Sequence, residues 1–152
     1  MTEFAPLEEE LGRLLDNVEP DARTRLGRTI ATDLRRAQAA RIRANVTPAG
    51  EPMVPRKPRG PAPKTRSAKA TRMFQRATAS KYLRAKATPA EIVVGYVGAA
   101  ARILRVHQLG LRDGVSREAG APEVTYPERQ LIGLSDADHG RILTKIFDQL
   151  TL

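Results

Sequence analysis

The stretch KYLRAKATPAEIVVGYV, residues 81–97, decides the fold class of this 152-residue chain. Small or apolar side chains alternate with polar ones in its first half, and a Thr88-Pro89-Ala90 turn leads into a second half rich in valine. This pattern predicts two antiparallel strands joined in a β-hairpin, with one basic face and one face against a core. Because the segments around it have helical periodicity, we expect an α+β fold.

Residues 7–46 are predicted to form two amphipathic N-terminal helices, separated at Glu19-Pro20. The apolar side chains that recur at helical spacing are Leu7, Leu11, Leu14, Leu15 and Val18, then Leu26, Ile30, Leu34, Ala37 and Ile42. The opposite side of the second helix carries a stripe of arginines at Arg23, Arg25, Arg28, Arg35, Arg36, Arg41 and Arg43. A helix face that carries only positive charge is exposed either to solvent or to a binding partner. The candidate binding face comprises Arg28, Arg35, Arg36 and Arg43.

Residues 47–66 are rich in proline and glycine and have no apolar periodicity. Proline lacks the backbone donor that a helix or a central strand requires, so neither is expected. The segment is then either an extended arm or long loop that becomes ordered on assembly, or a flexible linker. Its cations are the candidate assembly contacts, to acidic protein surfaces or along a path of DNA: Arg56, Lys57, Arg59, Lys64 and Arg66.

The rest of the chain mixes short elements, and the whole of residues 1–152 is expected to form one domain. We predict a helical patch near residues 70–76, a helix over 99–108 that ends at Gly110, a loop over 111–122 and a strand over 123–126. Ser135 and Asp138 have the spacing of a capping box, which predicts a last helix. One face of that helix would carry Ile142, Ile146, Phe147 and Leu150.

The net charge of +9 and the pI near 10.6 favour polyanionic or acidic partners. Residues 52–90 contain no Asp or Glu, so the positive charge is concentrated there. Aromatic residues make up only 4% of the chain, and stacking on bases is therefore not favoured. A basic protein that binds nucleic acid without sequence preference is nevertheless an alternative hypothesis.

Nothing in the sequence predicts a catalytic, cofactor or metal site. There is no cysteine, and the two histidines, His107 and His139, do not have metal-ligand spacing. Asp136 and Asp138 are interpreted as helix-capping residues, and no phosphate-binding glycine motif is present. No apolar stretch is long enough to span a membrane, and the acidic N-terminus is unlike a signal peptide, so neither a membrane partner nor export is expected.

Two stretches resemble the tail completion protein S family of contractile-tailed phages, also called phage virion morphogenesis proteins. They are ARILRVHQLGLRD, residues 101–113, and VTYPERQLIGLSDAD, residues 124–138. Upstream, residues 41–43, 48–52 and 55–57 are similar to that family too. The short signatures are His107-Gln108-x-Gly110 and Pro127-x-Arg129-x-x-x-Gly133-x-Ser135. The resemblance as a whole covers nearly the whole chain, and its features occur in the order typical of the family. Leu109 and Gln130 depart from the family pattern.

The resemblance implies a structural subunit of the phage neck or upper tail, which completes the tail and helps to join it to the DNA-filled head. It implies an α+β subunit with a barrel-like sheet, assembled as a ring, often a hexamer. Partners would be further copies, other neck, tail-tube or head-connector proteins, and DNA in the channel through non-specific contact. The location would be the virion, after synthesis in the host bacterial cytoplasm.

The family brings no catalytic residues, and the resemblance makes His107, Gln108, Gly110 and Arg129 structural motif residues. We expect His107 to pack at its helix end and Arg129 to bond to backbone at the turn before the last helix. A ring of six or of twelve subunits, and a position on the tail or the head side, both remain open.

Overall fold

The computed structural model describes residues 9, 10, 12, 13, 16–57 and 72–151. The elements are helix α1 (Pro20–Ala44), a 3-10 turn (Gln75–Thr78), strands β1 (Leu83–Ala87) and β2 (Ile92–Tyr96), helix α2 (Ala99–Leu109), strands β3 (Arg112–Gly114) and β4 (Glu123–Thr125), and helix α3 (Asp136–Thr151). The predicted α+β class is confirmed. The helix expected before Pro20 lies largely outside these residues, although residues 9, 10, 12, 13 and 16 are helical.

Helix α1 is the element on which the hairpin, the 3-10 turn and α3 all pack. Pro20 occupies its first turn, where the missing backbone N–H would have no helical acceptor. Asn45 ends it in the left-handed conformation, with φ of 60°, and donates its backbone N–H to the carbonyl of Ile42. The buried side of the helix carries Ala22, Gly27, Ile30, Ala31, Gln38, Ala39 and Ile42.

The predicted hairpin is confirmed, since β1 and β2 pair antiparallel with Leu83 opposite Tyr96 and Ala87 opposite Ile92. Leu83 is fully buried, whereas Arg84 and Lys86 on the other face are exposed. The close approach of the hairpin to α1 depends on Gly27. A Cβ at that position would lie 3.0 Å from the Ala87 Cβ and 3.4 Å from the Ile92 Cγ1.

The sheet is not barrel-like, and that expectation was wrong. The described residues form two separate two-stranded sheets, β1-β2 and β3-β4, and no closed barrel. The physical reason is that α1 covers the inner face of the hairpin, so no second sheet is needed there. The prediction of a loop over residues 111–122 was partly wrong, because Arg112–Gly114 forms a strand that pairs with Glu123–Thr125. The patch expected near 70–76 is replaced by the 3-10 turn, and its first part lies outside the described residues.

The apolar core joins segments that are far apart in sequence: Ile42, Met53, Ala77, Leu104 and Leu131. Met53 belongs to the proline-rich segment, whose residues 47–53 fold back on the protein. A bridge pairs Val46 with Pro52, and Met53 donates its backbone N–H to the Asn45 carbonyl. Residues 58–66 lie outside the described part of the chain, so the extended arm stays a prediction.

Helix α3 begins with the predicted capping box. The Ser135 backbone N–H donates to Asp138 Oδ2, and the Asp138 backbone N–H donates to Ser135 Oγ. Its apolar face is only partly covered, because Phe147 is 62% exposed. None of the helices in the described part of the chain is long and apolar enough to cross a membrane.

We predict that Gly27→Val lowers the free energy of unfolding by about 2 kcal/mol, because the added methyl groups would force α1 away from the hairpin. Urea denaturation followed by circular dichroism measures this change. Gly140→Val is the matched control, since a Cβ at Gly140 in α3 meets nothing within 4 Å. Equal effects of the two substitutions would contradict a packing role for Gly27.

Candidate partner interface

Residues 129–133 run through the interior without helix or strand, so side chains must satisfy their backbone groups. Leu131 is fully buried there. The Gln108 Oε1 accepts the backbone N–H groups of Leu131 and Ile132, at 2.7 and 3.0 Å. Its Nε2 donates to the Ile132 carbonyl at 3.0 Å. One amide side chain at the end of α2 therefore fixes this segment.

Arg129 reaches from the same segment to the start of the proline-rich one, and it is only 4% exposed. Its Nε donates to the Val54 carbonyl at 2.6 Å and its Nη2 to the Pro55 carbonyl at 3.1 Å. Its Nη1 lies 3.1 Å from His107 Nδ1, and its backbone N–H donates to the His107 carbonyl. We call this group, His107 and Arg129 with the carbonyls of Val54 and Pro55, the arginine clamp.

The hydrogen-bond partners of Arg129 differ from those that the sequence predicted. The sequence suggested backbone contacts at the turn before the last helix, but the guanidinium contacts carbonyls about 75 residues earlier in the chain. No carboxylate of the described residues forms an ion pair with Arg129. Burial and the nearby charge of Arg56 lower the pKa of Arg129. The clamp is therefore a positive centre that only neutral groups satisfy.

His107 is packed at the end of α2, between two aromatic rings. The ring centroids of Phe74 and Tyr126 lie 4.9 and 4.8 Å from that of His107, both in edge-to-face geometry. Burial, and then the charges of Arg129 and Arg56, lower the pKa of His107. The neutral ring can accept a hydrogen bond from Arg129 through Nδ1, which the imidazolium could not do.

Gly110 completes the contact between α2 and the segment that follows Pro127. It has φ of 62°, and a Cβ there would lie 3.1 Å from the Glu128 backbone nitrogen. The two short signatures of the sequence are thus one structural unit, because the residues of the first hold the backbone of the second.

A second polar network ties the other end of this segment to α1. The Gln38 Nε2 and Oε1 bond to the carbonyl and N–H of Gly133, at 2.8 and 3.3 Å. Arg41 donates from Nη2 to the Gly133 carbonyl and from Nη1 to Asp138 Oδ2, both at 2.6 Å. Burial alone would raise the pKa of Asp138, but hydrogen bonds from Ser135 and Arg41 hold it below its usual value.

The arginines of the stripe on α1 do not all lie on the exposed side of the helix. Arg23, Arg25, Arg28, Arg36 and Arg43 are exposed, but Arg35 and Arg41 turn inward. The Arg35 Nε donates to the Leu83 carbonyl at 2.8 Å, so it joins helix to hairpin. A signal for Arg41 was present in the sequence, because it follows Leu34 by two helical turns and shares its apolar side.

The exposed cations of α1 continue onto the hairpin in what we call the basic strip: Arg28, Arg36, Lys81 and Arg84. Two open depressions, of about 590 and 300 Å³, lie along it, and Thr32 lines both. Among the described residues no carboxylate forms an ion pair with any of the four. Asp33 also lines the smaller depression, but its Oδ2 is 3.0 Å from Lys145 Nζ.

Arg56 and Lys57 are exposed and follow directly after the clamp. The clamp fixes the carbonyls of Val54 and Pro55, and it thereby sets the position from which these two cations leave the protein surface. The other predicted contacts, Arg59, Lys64 and Arg66, lie outside the described residues.

One cavity of about 170 Å³ gathers the residue types of a hydrolase: His107, Asp113 and Ser116. These side chains have other partners. Asp113 Oδ1 accepts from Arg102 at 2.6 Å, His107 Nδ1 faces Arg129, and Ser116 Oγ accepts from the Glu118 backbone. No hydrogen bond joins two of the three, so the geometry supplies no nucleophile and base pair. The described residues also contain no cluster that could hold a metal ion.

Comparison with known proteins covers nearly the whole chain. The model of the phage virion morphogenesis family matches residues 2–151. The chain is also 33% identical, over 139 residues, to the tail completion protein S of Escherichia phage P2, and the match covers 91% of each chain. No solved structure matches the chain significantly.

We predict that Arg129→Lys lowers the free energy of unfolding by about 2 kcal/mol, since one ammonium cannot replace three guanidinium contacts. Trypsin should also cleave after Arg56 faster than in the unmodified protein, because the backbone that precedes Arg56 loses its fixed carbonyls. Arg105→Lys, at an exposed position of α2, is the control and should leave both measurements unchanged. Unaltered cleavage in Arg129→Lys would refute the clamp.

We predict that the free energy of unfolding falls as pH decreases from about 7 to about 5, because unfolding returns the lowered pKa of His107 to its ordinary value near 6.5. The unfolded chain then binds more protons than the folded one. His107→Asn should remove most of this slope in urea titrations at several pH values, whereas His139→Asn should retain it. A slope that is the same in all three proteins would contradict the assignment.

Proposed function

The chain belongs to the phage virion morphogenesis family, and on that premise we propose that it is a structural subunit that completes the phage tail. The similarity to the tail completion protein S of phage P2 supports this role, because it extends over 91% of both chains. The protein acts in this role by binding its neighbours, without a catalytic step.

We place the subunit at the neck or upper tail, in a ring that often has six members, where it helps to join the tail to the DNA-filled head. A ring requires each copy to contact two neighbours through different surfaces. The basic strip and the cations after the clamp are two separate positive surfaces, and each can contact an acidic surface of a neighbour. The location is the virion, after synthesis in the host bacterial cytoplasm.

The arginine clamp is the observation that carries this proposal. It fixes the base of the proline-rich segment at Val54 and Pro55 and leaves Arg56 and Lys57 exposed beside it. A rigid base with exposed charges suits a segment that reaches a neighbouring subunit, because fewer conformations must be lost on binding.

The chemistry of the clamp favours an acidic partner. Arg129 is buried without a carboxylate, and Arg56 lies near enough to lower the pKa of both Arg129 and His107. An acidic surface of an adjacent subunit, or of another tail or head-connector protein, would relieve this repulsion. DNA in the channel is the second contact that we propose, through its phosphates alone.

Complementation of a phage or prophage that lacks this gene tests the role. We expect the deletion to yield tails that do not join heads, and the unmodified gene to restore infectious particles. The double variant Arg56→Glu with Lys57→Glu should fold normally but lower the yield by about tenfold or more, because it reverses two contact charges. Titre and electron microscopy of the particles measure the effect.

Arg105→Glu with Arg117→Glu is the matched control, since it reverses two exposed cations outside the clamp and the strip. It should support assembly like the unmodified gene. Normal particles from the Arg56 and Lys57 variant would exclude the contact role of these residues. Absence of the protein from purified virions would replace the structural subunit with an assembly factor that acts and departs.

A further inference from the structure

The basic strip has no neutralising group within the described residues. Arg28, Arg36, Lys81 and Arg84 are all exposed, and the nearby Asp33 already pairs with Lys145. Like charges held together by one helix and one strand repel each other, and they attract an anionic partner. The strip is therefore a surface that favours a partner of opposite charge.

The chain itself contains a segment of the required charge. Residues 1–21 hold seven acidic residues and one basic residue, Arg13, a net charge of −6. The side chains of Glu9 and Glu10 are 75% and 56% exposed, although Arg13 Nη2 is 3.0 Å from Glu10 Oε2. The acidic N-terminal segment thus retains charge for another partner.

The surface beside the strip also offers apolar contacts. On the outer face of the hairpin, Arg84 and Lys86 of β1 stand opposite Gly95 and Val93 of β2. Val93 is 47% exposed, and a Cβ at Gly95 would meet nothing within 4 Å, so this face is open. The cations of β1 therefore lie next to the exposed apolar side chain of Val93.

The sequence of the acidic N-terminal segment also combines charged and apolar side chains. Its leucines recur at helical spacing between the acidic residues, at Leu7, Leu11, Leu14 and Leu15, and Val18 is 40% exposed. An amphipathic acidic segment can place its carboxylates on the cations of the strip and its leucines on the valine side. A DNA backbone would match the charges but not the exposed apolar side chain of Val93.

We propose that the basic strip of one copy binds the acidic N-terminal segment of a second copy. This contact rests on the self-association that we propose for the subunit, and it deepens that function by naming both surfaces. Because strip and segment are different patches, the contact is head-to-tail, the type of interface that closes into rings.

A charge exchange between two variants tests the contact. The strip variant carries Arg36→Glu and Arg84→Glu, and the segment variant carries Glu8→Lys and Glu9→Lys. Each alone should weaken self-association by about 10- to 100-fold in sedimentation experiments, because like charges then face each other. An equimolar mixture should regain it, since each variant offers the surface that the other requires.

The mixture separates this proposal from folding of the segment onto its own chain. Intramolecular contact would be rescued only when all four substitutions are in one chain, and mixing would then restore nothing. Arg105→Glu with Arg117→Glu is the control and should self-associate as the unmodified protein does. Circular dichroism and thermal unfolding should confirm that every variant is folded.

Three results would overturn the proposal. The unmodified protein could stay monomeric at low salt, or mixing could fail to restore association. The strip variant could also self-associate normally while losing salt-dependent binding to random duplex DNA, which would make the strip a phosphate-binding surface. Complementation assays report on the virion role separately, so failure of this contact does not mimic failure of the proposed function.

Discussion

The structure depends on a single constraint, which is that an irregular segment inside the protein must have its backbone groups paired. Residues 129–133 form neither helix nor strand, and apart from the bond of the Arg129 N–H to the His107 carbonyl, side chains such as Gln108 from α2 and Gln38 from α1 supply the hydrogen bonds. Because one segment is held by both helices, their relative position is fixed as well. The core residue Leu131 can be fully buried only under this arrangement.

The cations of the described residues fall into two groups, one that joins parts of the fold and one that is exposed at the surface. Arg35, Arg41 and Arg129 donate hydrogen bonds to carbonyls, to an amide oxygen and to one carboxylate. These hydrogen bonds join parts of the fold. The exposed cations of the basic strip, and Arg56 and Lys57 after the clamp, form no ion pair among the described residues. The excess positive charge of these residues thus stays at the surface, where it is accessible to solvent.

Most elements of this fold were predictable, except β3 and the 3-10 turn, but the site was only partly so. Local patterns determine the hairpin, the end of α2 at Gly110 and the capping box at Ser135, since each depends on neighbours in sequence. The barrel-like sheet came from a resemblance, and helix packing on the hairpin replaced it. The contacts of Gln38 and Arg129 join residues about 75 to 95 positions apart, and no periodicity encodes such a distance.

The separation of the clamp residues along the chain also orders the events of folding. Val54 and Pro55 leave the ribosome well before Arg129, the residue that binds their carbonyls. During synthesis the proline-rich segment can form its local contacts with the end of α1, but the carbonyls of Val54 and Pro55 are fixed only when most of the chain has been made. The backbone from which Arg56 and Lys57 project is therefore held only after residue 129 has been made, and a chain truncated before that point would leave both cations without a defined position.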